Sequence, residues 1–270
     1  MTTITMTVWR RPEYTRRVLD SLTRALQFYE EKAGEPFAER MIVSADGTED
    51  EPNITQTREM IWRWQCKRPP LAPPQMMMFS HPLRLDCDEN TRFVINQAFD
   101  QGADYVLHLE DDTVLSPDAL CLAHFYRKFQ PVPWSPAPPF LFLGLHNHRK
   151  LEDRTPDKVI QVSDFHGWGW ITCKDWWDDV LEPQWSMKKQ DPKGWDWSIS
   201  YLMNCQHLTG IVPVLNRVLN IGRMNGRYET PDHYDESGVV NLPWATETNA
   251  ATHFHLDSIP AQRGEWRHGD

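Results

Sequence analysis

Glu110, Asp111 and Asp112 are three consecutive carboxylates at the end of an apolar run, Tyr105-Val106-Leu107-His108-Leu109. Side by side they repel one another, and burial strips them of solvation. A divalent cation relieves both penalties, because hard cations take carboxylate oxygens as ligands. Such a cation would in turn hold something anionic, a diphosphate above all. An acidic surface turn is the plainer alternative, but a strand that ends in the acids aims them at one place. Two further groups belong with them. Asp46 follows the run Arg40-Met41-Ile42-Val43-Ser44-Ala45 and precedes Gly47, and Trp9-Arg10-Arg11 follow Thr3-Ile4-Thr5-Met6-Thr7-Val8. An arginine pair, a lone carboxylate and a metal-ready acid cluster meeting in one crevice would have the make-up of a nucleotide-diphosphate site.

The elements that must position these residues follow from hydrophobic periodicity. Residues 3–8 read as a strand, and Pro12 opens a helix over 13–31 with Val18, Leu19, Leu22, Leu26 and Tyr29 on one face. Residues 40–45 read as a second strand, 51–64 as a helix, 75–79 as a third strand, and 90–101 as a helix stopped by Gly102. The fourth strand, 104–109, ends at the acids, and Ser116-Pro117-Asp118 caps a helix running to about Phe129. This alternation predicts an α/β fold with right-handed crossovers and a largely parallel sheet. Ligands of such sheets bind at the carboxyl ends of the strands, where Asp46 and the acid cluster fall. The second half is less regular, with strands expected at 140–145, 159–162, 168–172, 212–215 and 218–221, and helices at 174–181 and 196–204.

Composition bounds the rest. The 270 residues are 40% hydrophobic, enough for a full core, and no run of 18 apolar residues marks a membrane span. The amino terminus reads as a strand and not as a signal peptide. Five cysteines with no Cys-x-x-Cys pair suit a reduced, cytoplasmic protein, and the unanchored form suggests a bacterial or viral one. A formal net charge of −10 argues against a broad electrostatic grip on nucleic acid. It leaves room for local basic clusters at Arg58, Arg63, Lys67 and Arg68, and at Arg217, Arg223 and Arg227. The 13 tryptophans crowd the part after residue 160.

At this point the chain resembles the GT-A glycosyltransferases and, among them, the N-acetylglucosaminyltransferase I family. Glu110-Asp111-Asp112 resembles that family's Glu-Asp-Asp form of the Asp-x-Asp motif, and Val43-Ser44-Ala45-Asp46-Gly47 its second strand. His166-Gly167-Trp168-Gly169-Trp170 with Trp176, Leu181-Glu182-Pro183-Gln184-Trp185 and Trp195-Asp196-Trp197 resemble three later segments, in the same order. Arg217 and Gly222-Arg223 fall where that family has an Arg and a Phe-Gly pair before a mobile loop. The last tryptophan segment has one Asp before its second Trp where the family has two, and the family's membrane anchor and stem are not in this sequence. The resemblance implies one GT-A (Rossmann-like) domain over 1–270. Residues 1–130 would form its nucleotide-sugar-binding half, 131–245 an irregular Trp-rich acceptor half, and 246–270 a tail.

What the resemblance implies for individual residues is specific. Asp112 would ligate Mn²⁺ or Mg²⁺ between the phosphates of a UDP-sugar donor. Glu110 and Asp111 would hold ribose hydroxyls, amides or metal-bound waters. Asp46 would accept from uracil, and Arg11 would sit near the nucleotide, with Arg10 as runner-up. Arg223 would meet the diphosphate from a lid. Asp196 would be the general base of an inverting transfer, and Trp168, Trp195 and Trp197 would face the acceptor. The acceptor is read as a glycan or small glycoside, with hydroxymethylated bases of viral DNA as the alternative. A nucleotidyltransferase making sugar nucleotides and a non-catalytic sugar-binding protein are the rivals from other classes. His253-Phe254-His255 is a His-x-His pair with a late metal-ligand role in view, and His146, His148 and His166 stay unassigned.

Overall fold

The computed structural model describes residues 1–47, 52–67, 74–129, 139–149, 151–185, 194–222 and 244–257. Its first half alternates strictly: β1 (Thr2–Val8), α1 (Pro12–Ala33), β2 (Arg40–Ala45), α2 (Pro52–Cys66), β3 (Gln75–Ser80), α3 (Asp86–Asp100), β4 (Tyr105–Glu110). There follow β5 (Thr113–Leu115), α4 (Ala119–Tyr126), β6 (Leu143–Gly144), β7 (Lys158–Val162) and β8 (Trp170–Cys173). A helical stretch comes next: α5 (Lys174–Trp176), a π turn (Trp177–Leu181) and α6 (Glu182–Trp185). The chain then forms α7 (Trp195–Gln206), β9 (Gly210–Pro213), β10 (Val218–Asn220), a 3₁₀ turn (Glu247–Asn249) and β11 (His255–Leu256).

One sheet runs through the molecule in the order β11-β7-β9-β6-β8-β4-β1-β2-β3. β1 to β4 are mutually parallel, β8 lies antiparallel to β4, and β6 antiparallel to β8. The parallel strands are covered on both faces. Ile4, Met6, Val8, Met41, Val43 and Leu107 pack with Val18, Leu19 and Leu22 of α1 and with Leu120 of α4. On the other face Ile42 and Val106 pack with Val94, Ile95 and Ala98 of α3 and with Trp170, Trp177 and Trp195. The alternation along β1 places threonines on this second face, where Thr5 Oγ1 meets His108 Nδ1 at 3.1 Å. Burial holds the His108 imidazole down at about 3, so it is neutral.

Several elements depart from their sequence expectations for tertiary reasons. α3 starts at Asp86, four residues early, because Asp46 caps it from the end of β2: Leu85 N–H and Asp86 N–H donate to Asp46 Oδ1 and Oδ2 at 2.6 and 3.1 Å. Ser116-Pro117-Asp118 does not cap α4 with a side chain. Ser116 Oγ donates to Asp118 Oδ1, while Asp118 Oδ2 takes Arg217 Nε at 2.8 Å and the Ala251 amide at 2.7 Å. Both members of that ion pair are fully buried, and Arg217 also donates to the carbonyls of Leu215 and Pro156. The strand expected at 140–145 is reduced to two residues, although Leu141 N–H still donates to Thr209 O and Phe142 O still accepts from Ile211 N–H. Gly169, at φ 72°, delays β8 to Trp170. The stretch read as a tail is part of the sheet: β11 pairs in parallel with β7. No described helix is long and apolar enough to cross a membrane, and the five cysteines are free thiols.

Candidate functional site

The carboxyl ends of β1, β2, β3, β4 and β6 share one crest, joined there by the segment entering β8 and by the first turn of α7. The acid turn is its centre. Thr113 Oγ1 donates to Glu110 O, the Trp9 amide donates to Asp111 Oδ2 at 3.1 Å, and the Ile221 amide donates to Asp112 O at 2.8 Å. β10 lies antiparallel on β5 and clamps the turn from above. Gly222 closes so tightly on it that a Cβ there would sit 2.1 Å from Asp112 Oδ2.

Arg11 spans the two aspartates. Its Nη1 donates to Asp112 Oδ2 at 2.7 Å and its Nη2 donates to Asp111 Oδ1. Burial opposes the Arg11 charge, yet Asp111 and Asp112 outweigh it and hold the guanidinium more firmly protonated than usual. One cation does not balance the cluster. Burial, then Asp112, push the Glu110 carboxyl well above its ordinary range, with Asp111 and Asp196 adding to the shift. Burial and Asp111 push Asp112 upward against the pull of Arg11. Asp112 is 6% exposed, and its Oδ1 has no hydrogen-bond partner. A buried, orphaned carboxylate oxygen in an over-negative turn fits a divalent cation. Among the described residues no group of three or more His, Cys, Asp or Glu converges on a metal position. A cation shared with a diphosphate needs only one or two protein carboxylates, so the fit survives that absence.

The other expected residues fall as follows. Asp46 is on the crest, with both oxygens already accepting the two amides that start α3. Asp196 is half-buried in the first turn of α7, near enough for its charge to act on Glu110, and its Oδ1 accepts the Trp197 amide at 2.9 Å. Trp195 departs from its expected acceptor role: 5% exposed, it stacks on Trp185 at 4.7 Å and leans on Phe165 and Trp170. Trp197 is 48% exposed, and Trp168 is half-buried against His146 and His166, with ring centres at 4.7 and 4.3 Å. Arg223, Arg227 and Arg68 lie outside the described residues.

Of the basic cluster near residue 60, Arg58 is turned inward, while Arg63 and Lys67 are exposed. Arg58 donates to the carbonyls of Gly47 and His81 at 3.2 and 3.0 Å, and Arg63 pairs with Glu59 at 3.2 Å. Arg217 is a structural ion-pair member, as described above. His255 lies five strands from β4 in the sheet order, about 24 Å at the usual strand spacing, which removes it from the acid turn. One crest residue was missed from sequence. Arg84, after β3, covers one face of the Trp9 indole at 4.3 Å while Arg10 lies over the ring at 4.1 Å, and Arg84 also pairs with Asp86 at 3.1 Å. Its signal was its place after a strand of the parallel set, the same logic that selects Asp46.

No family model matches the sequence, and no curated protein matches it. Solved structures do match in shape. TarS 1–349 of S. aureus superposes with a TM-score of 0.50 at 12% identity, over 87% of this chain and 62% of that one. The galactosyltransferase LgtC, in complex with donor and acceptor sugar analogs, gives 0.44 at 11% identity over 94% of this chain and 87% of that one. A 4-diphosphocytidyl-2C-methyl-D-erythritol synthase from Anaerococcus prevotii gives 0.44 at 11% identity, over 87% of this chain and 96% of that one. The chain spans less than two thirds of the TarS fragment. Its architecture, an α/β sandwich on a large, mostly parallel sheet, is the GT-A fold expected from sequence.

Proposed function

We propose that this protein is a metal-dependent, inverting glycosyltransferase that moves a sugar from a UDP-sugar to a hydroxyl of a glycan or small glycoside. The observation that carries the proposal is the acid turn at the end of β4, with the Asp112 Oδ1 orphan facing a crest that also holds Asp196. Asp112 would hold Mn²⁺ or Mg²⁺, with Glu110 and Asp111 on ribose hydroxyls or the waters around it. When bound, the cation would supply charge neutralisation for the departing diphosphate. Arg11 and Arg84 stand ready to take phosphate oxygens, for which a guanidinium fork is suited. Asp46 orders the turn into α3, and the uracil would lie against that turn. Arg223 would close over the diphosphate.

Asp196 takes the proton of the acceptor hydroxyl as that oxygen attacks the anomeric carbon opposite the diphosphate. Its place in the first turn of α7, beside the exposed Trp197 indole, suits a base that meets a sugar ring. The inward engagement of Arg58 and the formal net charge of −10 favour a glycan over DNA as acceptor. The motifs shared with the N-acetylglucosaminyltransferase I family support the same assignment of roles.

The test is a donor panel of UDP-glucose, UDP-galactose and UDP-N-acetylglucosamine against glycans and hydroxymethylated DNA, following UDP release and product mass. Asp196→Asn should keep donor affinity and lose transfer by roughly 10²–10⁴-fold, the usual worth of a general base. Undiminished turnover in that variant would remove Asp196 from the chemistry. Pyrophosphate in place of UDP among the products would make the protein a nucleotidyltransferase.

A further inference from the structure

Arg11 stands where a cation would. Its fork takes one oxygen from each of two neighbouring aspartates, Asp111 and Asp112. It is the positive group that offsets both the Glu110 and the Asp112 charge. The seat is incomplete on both sides. Asp112 Oδ1 has no partner, and neither has the buried Arg11 Nε. A guanidinium fully matched to its acceptors would leave neither atom orphaned.

We infer that Arg11 is an exchangeable counter-ion of the acid turn. It neutralises the aspartates while the site is empty, and gives up Asp112 when a divalent cation arrives together with a diphosphate. The inference rests on the reading above, that the turn takes a cation with a nucleotide diphosphate. A cation on Asp112 Oδ1 would face the guanidinium across a single carboxylate, and like charges that close repel strongly in a half-dry site. The diphosphate resolves the conflict, because its oxygens present the same forked acceptor geometry that Asp111 and Asp112 offered. Arg11 therefore disfavours the cation alone and favours the cation with its nucleotide. The sequence of binding is built into one side chain at the start of α1.

The test is Mn²⁺ binding, followed by the electron paramagnetic resonance of the free ion, in the wild type, Arg11→Ala and Arg11→Lys, each with and without saturating UDP. Without UDP, Mn²⁺ affinity should rise about tenfold or more in Arg11→Ala, the effect of removing one charge-assisted contact. It should rise less in Arg11→Lys, whose point charge serves one carboxylate at a time. With Mn²⁺ present, UDP affinity should fall roughly tenfold in both variants, because the fork on the diphosphate is lost. Equal Mn²⁺ affinity in all three proteins, with UDP still tightening it, overturns the exchange and leaves the cation reading intact. Failure of all three to bind Mn²⁺ with or without UDP overturns both. If Arg11→Ala does not fold, Arg11→Lys alone decides between the same outcomes.

Discussion

Glu110 and Asp112 are the residues on which the site's pH behaviour turns. Burial and mutual repulsion raise both carboxyls above their unfolded values. The folded protein therefore holds their protons more tightly than the unfolded chain does. Stability from this pair is present in acid and is lost as pH rises through the folded pKa values. Three imidazoles work the other way. Burial lowers His108 and His166 to about 3 and holds His146 well below its ordinary value, so their contribution is present above pH 6.5 and lost as pH falls. The melting temperature of the empty protein mixes the two, but the increment from added Mn²⁺ and UDP does not, because the imidazoles are the same in both samples. On the protein the cation competes with protons at the acid turn, and the terminal phosphate of UDP, with a second pKa of about 6, adds a share that a change in the protein leaves in place. The increment should thus be larger at pH 7.5 than at pH 5.5, by about 1.4 kcal/mol per pH unit for each proton displaced. Differential scanning fluorimetry at the two pH values measures it, and Glu110→Gln should shrink the difference by the share that belongs to that carboxylate. An increment independent of pH would mean that the cation, if it binds, does so away from these carboxylates.

At the scale of elements, the site is held by contacts between the end of one strand and the start of a distant helix. Asp46 links β2 to α3, and removing its carboxylate leaves the Leu85 and Asp86 amides without acceptors. Asp46→Ala should destabilise the protein by about 1–2 kcal/mol, the ordinary worth of a helix cap. Because the turn it orders also carries Arg84, UDP affinity should fall with it. Chemical denaturation and calorimetry on the same variant separate the two effects. A full loss of UDP binding at unchanged stability would give Asp46 a direct contact with the base and no capping role. This link also shows where sequence reading runs out. The run Thr3–Val8, the acid-ended fourth strand and the Pro12-initiated helix were legible because local pattern and burial agree there. The early start of α3 was not, since its cap comes from forty residues upstream. Nor was the fate of Trp195: it and Trp197 stand about 200° apart around a helix, so one must point inward, and the sequence does not say which. The clamp of β10 and Gly222 on Asp112 was hidden for the same reason, being a contact across more than a hundred residues.

For the molecule as a whole, charge is the property that bears on the open question of the acceptor. The chain carries a formal −10, and among the described residues several cations are engaged within the protein: Arg11 with Asp111 and Asp112, Arg58 with backbone carbonyls, Arg92 with Glu182, and Arg149 with Asp164. A duplex is bound chiefly by neutralising phosphates, and each phosphate so engaged adds about 0.9 to the slope of log affinity against log salt. A protein with a net negative field gains little long-range attraction for a duplex. A neutral glycan acceptor, in contrast, is held by indole faces such as those of Trp168 and Trp197 and by hydrogen bonds, neither of which responds strongly to ionic strength. With donor and Mn²⁺ saturating, kcat/KM for the acceptor should then change by less than about twofold between 50 and 200 mM NaCl. A DNA acceptor engaging four or more phosphates would lose roughly a hundredfold or more over the same range. Running the titration on whichever acceptor gives product decides the class without a complex structure: a flat profile keeps the glycan, and a steep fall with salt hands the site to hydroxymethylated DNA.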